Sequence, residues 1–164
     1  MTAQFFAPEP LKATHIVEHF NCGESTLDDW LKRRALTNHL SGASRTFVAL
    51  DGQNHVRAYY AIAAGAVAHD LATGLVRRNM PDPVPVLVLG RLAVNGSAQG
   101  SKLGAYMLQD AIRRAATVAE NASVRALLVH ALNESAQAFY EHFGFSSSPT
   151  HPMTLMLRLS LLKA

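Results

Sequence analysis

The residues with the clearest chemical potential form QGSKLGA, Gln99–Ala105, which follows an apolar run and leads straight into helix formers. Gly100 and Gly104 at the entry of a helix turn several backbone N–H groups toward one point, which suits an anion and above all a phosphate. Two familiar phosphate loops do not fit. The Walker pattern needs adjacent Gly and Lys followed by Ser or Thr, whereas Ser101 separates Gly100 from Lys102 and Leu103 comes next. The dinucleotide fingerprint needs three glycines in G-x-G-x-x-G spacing, which this stretch lacks.

Two further side chains could do chemistry. Tyr140 lies in NESAQAFYEHFGF beside Phe139 and Phe143. It is either a core aromatic like them or a proton donor, since a phenol is protonated at neutral pH. Arg91 interrupts the apolar VPVLVLGRLAV. A guanidinium there needs a partner, so it faces a substrate cleft or pairs with an acid; the cleft is the reading taken. Arg33, Arg34, Arg45, Arg77, Arg78 and Arg91 are candidate phosphate contacts, with Arg77 and Arg78 expected in a loop. A solvated helix face accounts equally well for Arg33 and Arg34. The eight histidines are taken as ordinary polar residues, and no metal is expected.

These groups need elements to position them. Ser25 as N-cap, Asp28 and Asp29 in the first turn and Gly42 as the stop predict one helix with an apolar stripe of Leu27, Trp30, Leu31 and Ala35. SRTFVAL and HVRAYYAIAAGAVAH, joined by DGQN, read as an antiparallel hairpin, and 69–83 as irregular. VPVLVLGRLAV reads as a strand covered on both faces. The next helix carries Leu103, Met107, Leu108, Ala111, Ile112, Ala115 and Ala119 on its apolar side, leaving Asp110, Arg113, Arg114 and Thr117 on the other. VRALLVHAL is a second buried strand, completing a right-handed βαβ unit. Asn133 caps a helix that Gly144 ends, and MTLMLRLSLL closes the chain as a strand. The fold class is therefore mixed α+β, a central mixed sheet with helices on its faces.

Composition sets the frame. The 164 residues are one domain's worth, spanning 1–164. With 49% apolar and 16% charged residues the chain reads as globular, and no apolar run reaches the ~20 residues of a membrane span. No secretory signal is evident and the single Cys22 has no partner for an internal disulfide, which points to the cytosol. A formal charge of +3 is compatible with a polyanionic partner.

At this point the residues resemble a family. QGSKLGA resembles the acyl-CoA pyrophosphate loop of GNAT acetyltransferases, and NESAQAFYEHFGF resembles that family's following motif. More narrowly, FNCGESTLDDWL, GASRTFV, YYAIAAGAV, LGRLAV, QGSKLG, VHALNESAQAFYEHFGF and MTLML resemble, in the same order, the GNAT toxins of bacterial type II toxin–antitoxin modules. The resemblance implies a GNAT fold with a βαβ acetyl-CoA-binding core, and transfer of acetyl from acetyl-CoA to the α-amine of aminoacyl-tRNA, which blocks translation. It implies CoA contacts from Gln99, Gly100, Ser101, Lys102, Leu103, Gly104 and Ala105, from the strand edge Leu92, Ala93 and Val94, and from Asn133, with Tyr140 as general acid. It further implies a small ribbon-helix-helix antitoxin and a homodimer. One position departs: Lys102 stands where the family usually has Gly. Either the backbone there is helical and tolerates any side chain, or the ammonium adds a contact to the pyrophosphate; a loop that tolerates Lys is preferred to a dead one. No general base is evident, which agrees with an α-amine acceptor of pKa about 7.7–8. A GNAT enzyme acting on a small amine or a protein, and a CoA-binding regulatory module without catalysis, are the rival readings.

Overall fold

The structure, a computed structural model, describes Phe5 and residues 7–159. The elements are β1 (Glu9–Pro10), α1 (Ser25–Arg33), α2 (Ala35–Ser41), β2 (Arg45–Leu50), β3 (Val56–Val67), α3 (Gly74–Arg77), β4 (Val84–Val94), α4 (Leu103–Asn121), β5 (Ala126–His130), α5 (Glu134–His142), β6 (Ser146–Ser147) and β7 (Thr154–Arg158). The strands form one mixed sheet in the order β1-β2-β3-β4-β5-β7-β6. The β4–β5 pair is parallel, while β1–β2, β2–β3, β5–β7 and β6–β7 are antiparallel. This is the expected mixed sheet with helices, extended by the two-residue strands β1 and β6, which are too short to leave a hydropathy pattern. Part of the N-terminal segment read for a leader, and Ser160–Leu162 of the expected closing strand, lie outside the described residues. The chain divides into two compact units, Met1–Ala63 with Gly90–Ala111, and Ala64–Leu89 with Ile112–Ala164.

In the first unit the β2–β3 hairpin forms where DGQN predicts it. Asp51 accepts N–H bonds from Gln53 (2.8 Å) and His55 (3.0 Å), and Asn54 takes a left-handed φ of 68°. Its core joins Leu31 and Ala35 to Phe20, Val48, Leu50, Val56, Tyr59 and Ala93, with Leu27 and Trp30 packed against them. The expected single helix is two. Arg34 leaves helical geometry at φ −123° and ψ −30°, and its N–H closes α1 on the Trp30 carbonyl at 2.8 Å; Gly42 at φ 84° then ends α2 as predicted. Glu24 rather than Ser25 occupies the N-cap position of α1, without a side-chain cap. The entry is fixed instead by buried Asp28, which accepts the Cys22 N–H at 2.9 Å.

Helix α4 buries Leu103, Met107, Leu108, Ala111 and Ala115. Asp110, assigned to the solvent side, is buried and accepts a hydrogen bond from the Tyr60 hydroxyl. The reason is angular: position 110 is three residues beyond Met107 and one before Ala111, so it falls within the buried arc, where the Tyr60 hydroxyl on β3 gives the carboxylate a polar partner.

The second unit packs Val67, Ala72, Val76, Val84, Val86, Ala126, Leu128 and Met156 together. The expected irregular stretch 69–83 contains α3, whose first turn is capped by Thr73 accepting the Val76 N–H. Arg125 holds this turn by donating to the carbonyls of Val76 (3.1 Å), Leu75 (3.2 Å) and Arg78 (3.2 Å). Asn133 caps α5 as predicted, accepting the Ala136 N–H at 2.9 Å, and Gly144 at φ 95° follows the helix end.

Candidate active site

The loop before α4 is built for an anion. The Asn95 side chain accepts the Asn21 N–H at 2.8 Å and donates to Ser97 at 2.7 Å, holding a 3-10 turn at Gly96–Ala98. Within the loop, the Gln99 and Ser101 amides are spent on the carbonyls of Gly96 and Ala98. The N–H groups of Gly100, Lys102, Leu103, Gly104 and Ala105 have no protein acceptor among the described residues. Gly100 (φ 86°) and Lys102 (φ 66°) are both left-handed with Ser101 between them, an alternation that curls successive amides into a concave nest. Lys102 is therefore not helical, and the reading that any side chain fits there without cost is corrected: α4 starts one residue later, at Leu103. A Cβ at Gly104 would meet Val94 Cγ2 at 3.6 Å, an ordinary contact that leaves the Gly104 amide open.

Gln99 ties the loop to its surroundings. Its Nε2 donates to the Val94 and Cys22 carbonyls, each at 3.0 Å, joining the end of β4 to the segment before α1. Beside it His19, Asn21, Cys22, Gly23, Asn95, Gly96, Ser97 and Gln99 line a polar cavity of ≈ 440 Å³. Burial pushes the Cys22 thiol up to about 11. Strand β4 is buried or half-buried through Leu89 and opens at Gly90, so its second half departs from the doubly covered strand expected. The parallel register with β5 runs from Val86 to Leu89 and stops there. Leu92, Ala93 and Val94 thus extend past the paired segment, leaving a strand edge that an extended amide-bearing ligand could lengthen.

In the second unit, Tyr140 is 8% exposed, packed edgewise on Phe139 (5.4 Å) and tilted against Phe145 (5.5 Å). Burial raises its phenol to about 12, so it is fully protonated at neutral pH. The Asn133 side-chain oxygen is occupied by its capping bond.

The arginines are distributed over both units, Arg33, Arg34, Arg45 and Arg91 in the first and Arg77 and Arg78 in the second. Arg33, Arg34, Arg45, Arg77 and Arg78 are exposed. Arg45 donates to the His39 carbonyl and Arg77 to the His69 carbonyl at 3.1 Å; Arg77 is the last residue of α3 rather than part of a loop. Arg91 pairs with no acid among the described residues: its guanidinium lies 4.3 Å from the centroid of the Trp30 ring. No group of three or more His, Cys, Asp or Glu that could hold a metal ion occurs among the described residues. His15 and His19, at a ligand-like spacing, lie outside any helix; His15 is engaged by the Lys12 N–H (3.0 Å) and Glu9 (2.8 Å). No described helix is long and apolar enough to cross a membrane.

The mixed sheet, the open edge of β4 and the amide nest that follows it are those of a GNAT acetyltransferase. Residues 42–147 match the acetyltransferase (GNAT) domain, and the chain belongs to that family. A tRNA-acetylating toxin of Mycobacterium tuberculosis is 50% identical over 161 residues, covering 98% of this chain and 96% of its own. A tyrosine-to-phenylalanine variant of KacT superposes with a TM-score of 0.89 at 22% identity, covering 96% of each chain. AtaT complexed with acetyl-methionyl-tRNAfMet superposes at 0.88 with 23% identity over 97% of each chain. AtaTR bound with AcCoA superposes at 0.81 with 25% identity, covering 96% of this chain and 97% of its own.

Proposed function

We propose that the protein, acting as a single catalytic domain over residues 1–164, transfers the acetyl group of acetyl-CoA to the α-amine of an aminoacyl-tRNA and so arrests translation. The observation that carries this reading is the 50% identity across 98% of the chain to a tRNA-acetylating toxin. The loop chemistry supports it: five amides without protein acceptors, from Gly100 and from Lys102 to Ala105, suit the CoA pyrophosphate, with Lys102 adding a cation. The edge Leu92–Val94 suits the pantetheine amides. Gln99 and Ser101 contribute by shaping the loop rather than through their amides, and Asn133 by starting α5.

In the reaction the neutral amine attacks the thioester carbon, the new C–N bond replaces the C–S bond, and sulfur leaves as thiolate. Tyr140, assigned by its motif, donates a hydrogen bond to that sulfur. A phenol at about 12 is a weaker acid than a thiol near 8.5, so complete transfer from Tyr140 alone is uphill by roughly three powers of ten. The surplus proton of the attacking amine closes the balance, reaching the sulfur directly or replacing one given by Tyr140. An α-amine needs no strong base to start, which fits the absence of an evident one. Arg33, Arg34, Arg45, Arg77, Arg78 and Arg91 are the proposed tRNA contacts. The neighbours' complexes with antitoxin support a small antitoxin partner, here of ribbon-helix-helix type, and the toxin is proposed to be a cytoplasmic homodimer.

Expression of the protein alone in a bacterium tests the biology. Growth arrest with N-acetylated aminoacyl-tRNA in the extract, both relieved by a small antitoxin encoded beside it, is expected. Harmless expression with charged tRNA unmodified contradicts the reading.

A further inference from the structure

Arg91 and Trp30 form a cation–aromatic pair at the edge of the first unit's core. Trp30, on α1, stacks on Tyr59 with centroids 6.0 Å apart and planes 13° from parallel. Tyr59 is itself anchored on several sides: fully buried, edge-on to Phe20 at 5.5 Å, its hydroxyl donating to the Leu27 carbonyl at 2.6 Å. The guanidinium of Arg91 covers the indole at 4.3 Å. Ala93, two positions on, packs in the same core as Tyr59, so this side of β4 faces α1. The half-buried guanidinium has five N–H donors, and no described residue accepts from it. Asp28 is committed to the Cys22 amide at 2.9 Å. A guanidinium seated over an aromatic platform, with no described residue accepting from its donors, is preorganised for a planar bidentate acceptor arriving from solvent.

Position says which acceptor. With phosphates at the loop beyond Val94 and the pantetheine along Leu92–Val94, the thioester lies at the Leu92 end, next to Arg91. Resting on the proposed aminoacyl-tRNA substrate, we infer that Arg91, positioned by Trp30, grips a phosphodiester of the single-stranded 3′ end that carries the acceptor amine. Trp30 is then a positioning residue that holds the guanidinium in place.

The test is binding by the intact protein of an uncharged acceptor-stem minihelix ending in CCA, and of the same minihelix with those three nucleotides removed, across a salt series. Arg91→Gln is expected to weaken binding of the complete minihelix about 10-fold and to lower the slope of log affinity against log salt by about 0.7, the value for one phosphate of a single strand, while leaving the trimmed minihelix unchanged. Trp30→Leu should weaken binding of the complete minihelix alone, several-fold, with the slope kept because the charge remains. Arg91→Lys keeps charge and stem, guards against misfolding, and should fall between wild type and Arg91→Gln. Equal losses on both minihelices, an unchanged slope in Arg91→Gln, or no preference of the wild type for the complete minihelix overturns the clamp. Acetyl transfer is read separately: CCA-dependent binding without turnover sinks the proposed reaction and leaves the clamp standing.

Discussion

Lys102 offers a way to separate backbone strain from charge. It is exposed and left-handed at φ 66°, one residue before α4. A residue with a Cβ is disfavoured there by roughly 1–2 kcal/mol. Glycine removes that penalty but costs about 0.4–1 kcal/mol by enlarging the unfolded ensemble. Lys102→Ala loses the ammonium and keeps the strain, whereas Lys102→Gly loses both. The glycine variant should therefore be the more stable of the two by about 0.5–1 kcal/mol, or about 1–4 °C for a domain of this size. Urea unfolding with a shared m-value reads the difference. Acetyl-CoA affinity, measured by calorimetry, should fall by the same factor in both variants, about 3–10-fold at low salt, with the gap to wild type closing as salt screens the lost contact. Alanine as stable as glycine refutes the strained loop. Unequal affinities refute the assignment of Lys102 to a charge role.

The same geometry makes further predictions. At Gly65 a Cβ would meet Val88 Cγ2 at 2.8 Å, so Gly65→Ala should destabilise the fold by about 1–3 kcal/mol in chemical denaturation, a cost absent for Gly52→Ala, where nothing lies within 4 Å. With its thiol pushed up to about 11, Cys22 should react with iodoacetamide at pH 7.5 about 10²-fold more slowly than an unperturbed thiol near 8.5, followed by mass spectrometry. Turnover should rise with pH as the acceptor amine loses its proton and show no descending limb up to pH 9, because burial raises the Tyr140 phenol to about 12; a descending limb near pH 9 that is lost in Tyr140→Phe would contradict that raised value.

Much of this was legible in the sequence because periodicity and punctuation agree: the hairpin at Asp51, the stop at Gly42, the cap at Asn133 and the loop at Gln99–Ala105 each combine a spacing with a residue of special backbone chemistry. What escaped was whatever depends on a partner distant in sequence. The break at Arg34 carries no proline or glycine, so α1 and α2 looked continuous. Asp110 looked solvent-facing because its partner Tyr60 is on another element, although its place in the buried arc was a usable signal. Arg91 stood out as a charge within an apolar strand, but Trp30 as its platform could not be read without the contact. The left-handed turn at Lys102 escaped because a good helix former occupies a position whose neighbours read as helix.

The central claim is acetyl transfer to the amine of charged tRNA, and the most direct measurement is incorporation of radiolabelled acetyl from acetyl-CoA by purified protein. Charged tRNA, the same tRNA deacylated, and free amino acids are offered in parallel, with the modified group identified by mass spectrometry. Label should appear on the α-amine of the charged tRNA alone, and Tyr140→Phe should slow it by roughly 10² or more while acetyl-CoA binding is retained. Label on free amines or on protein with charged tRNA untouched, or wild-type turnover in Tyr140→Phe, would contradict the account.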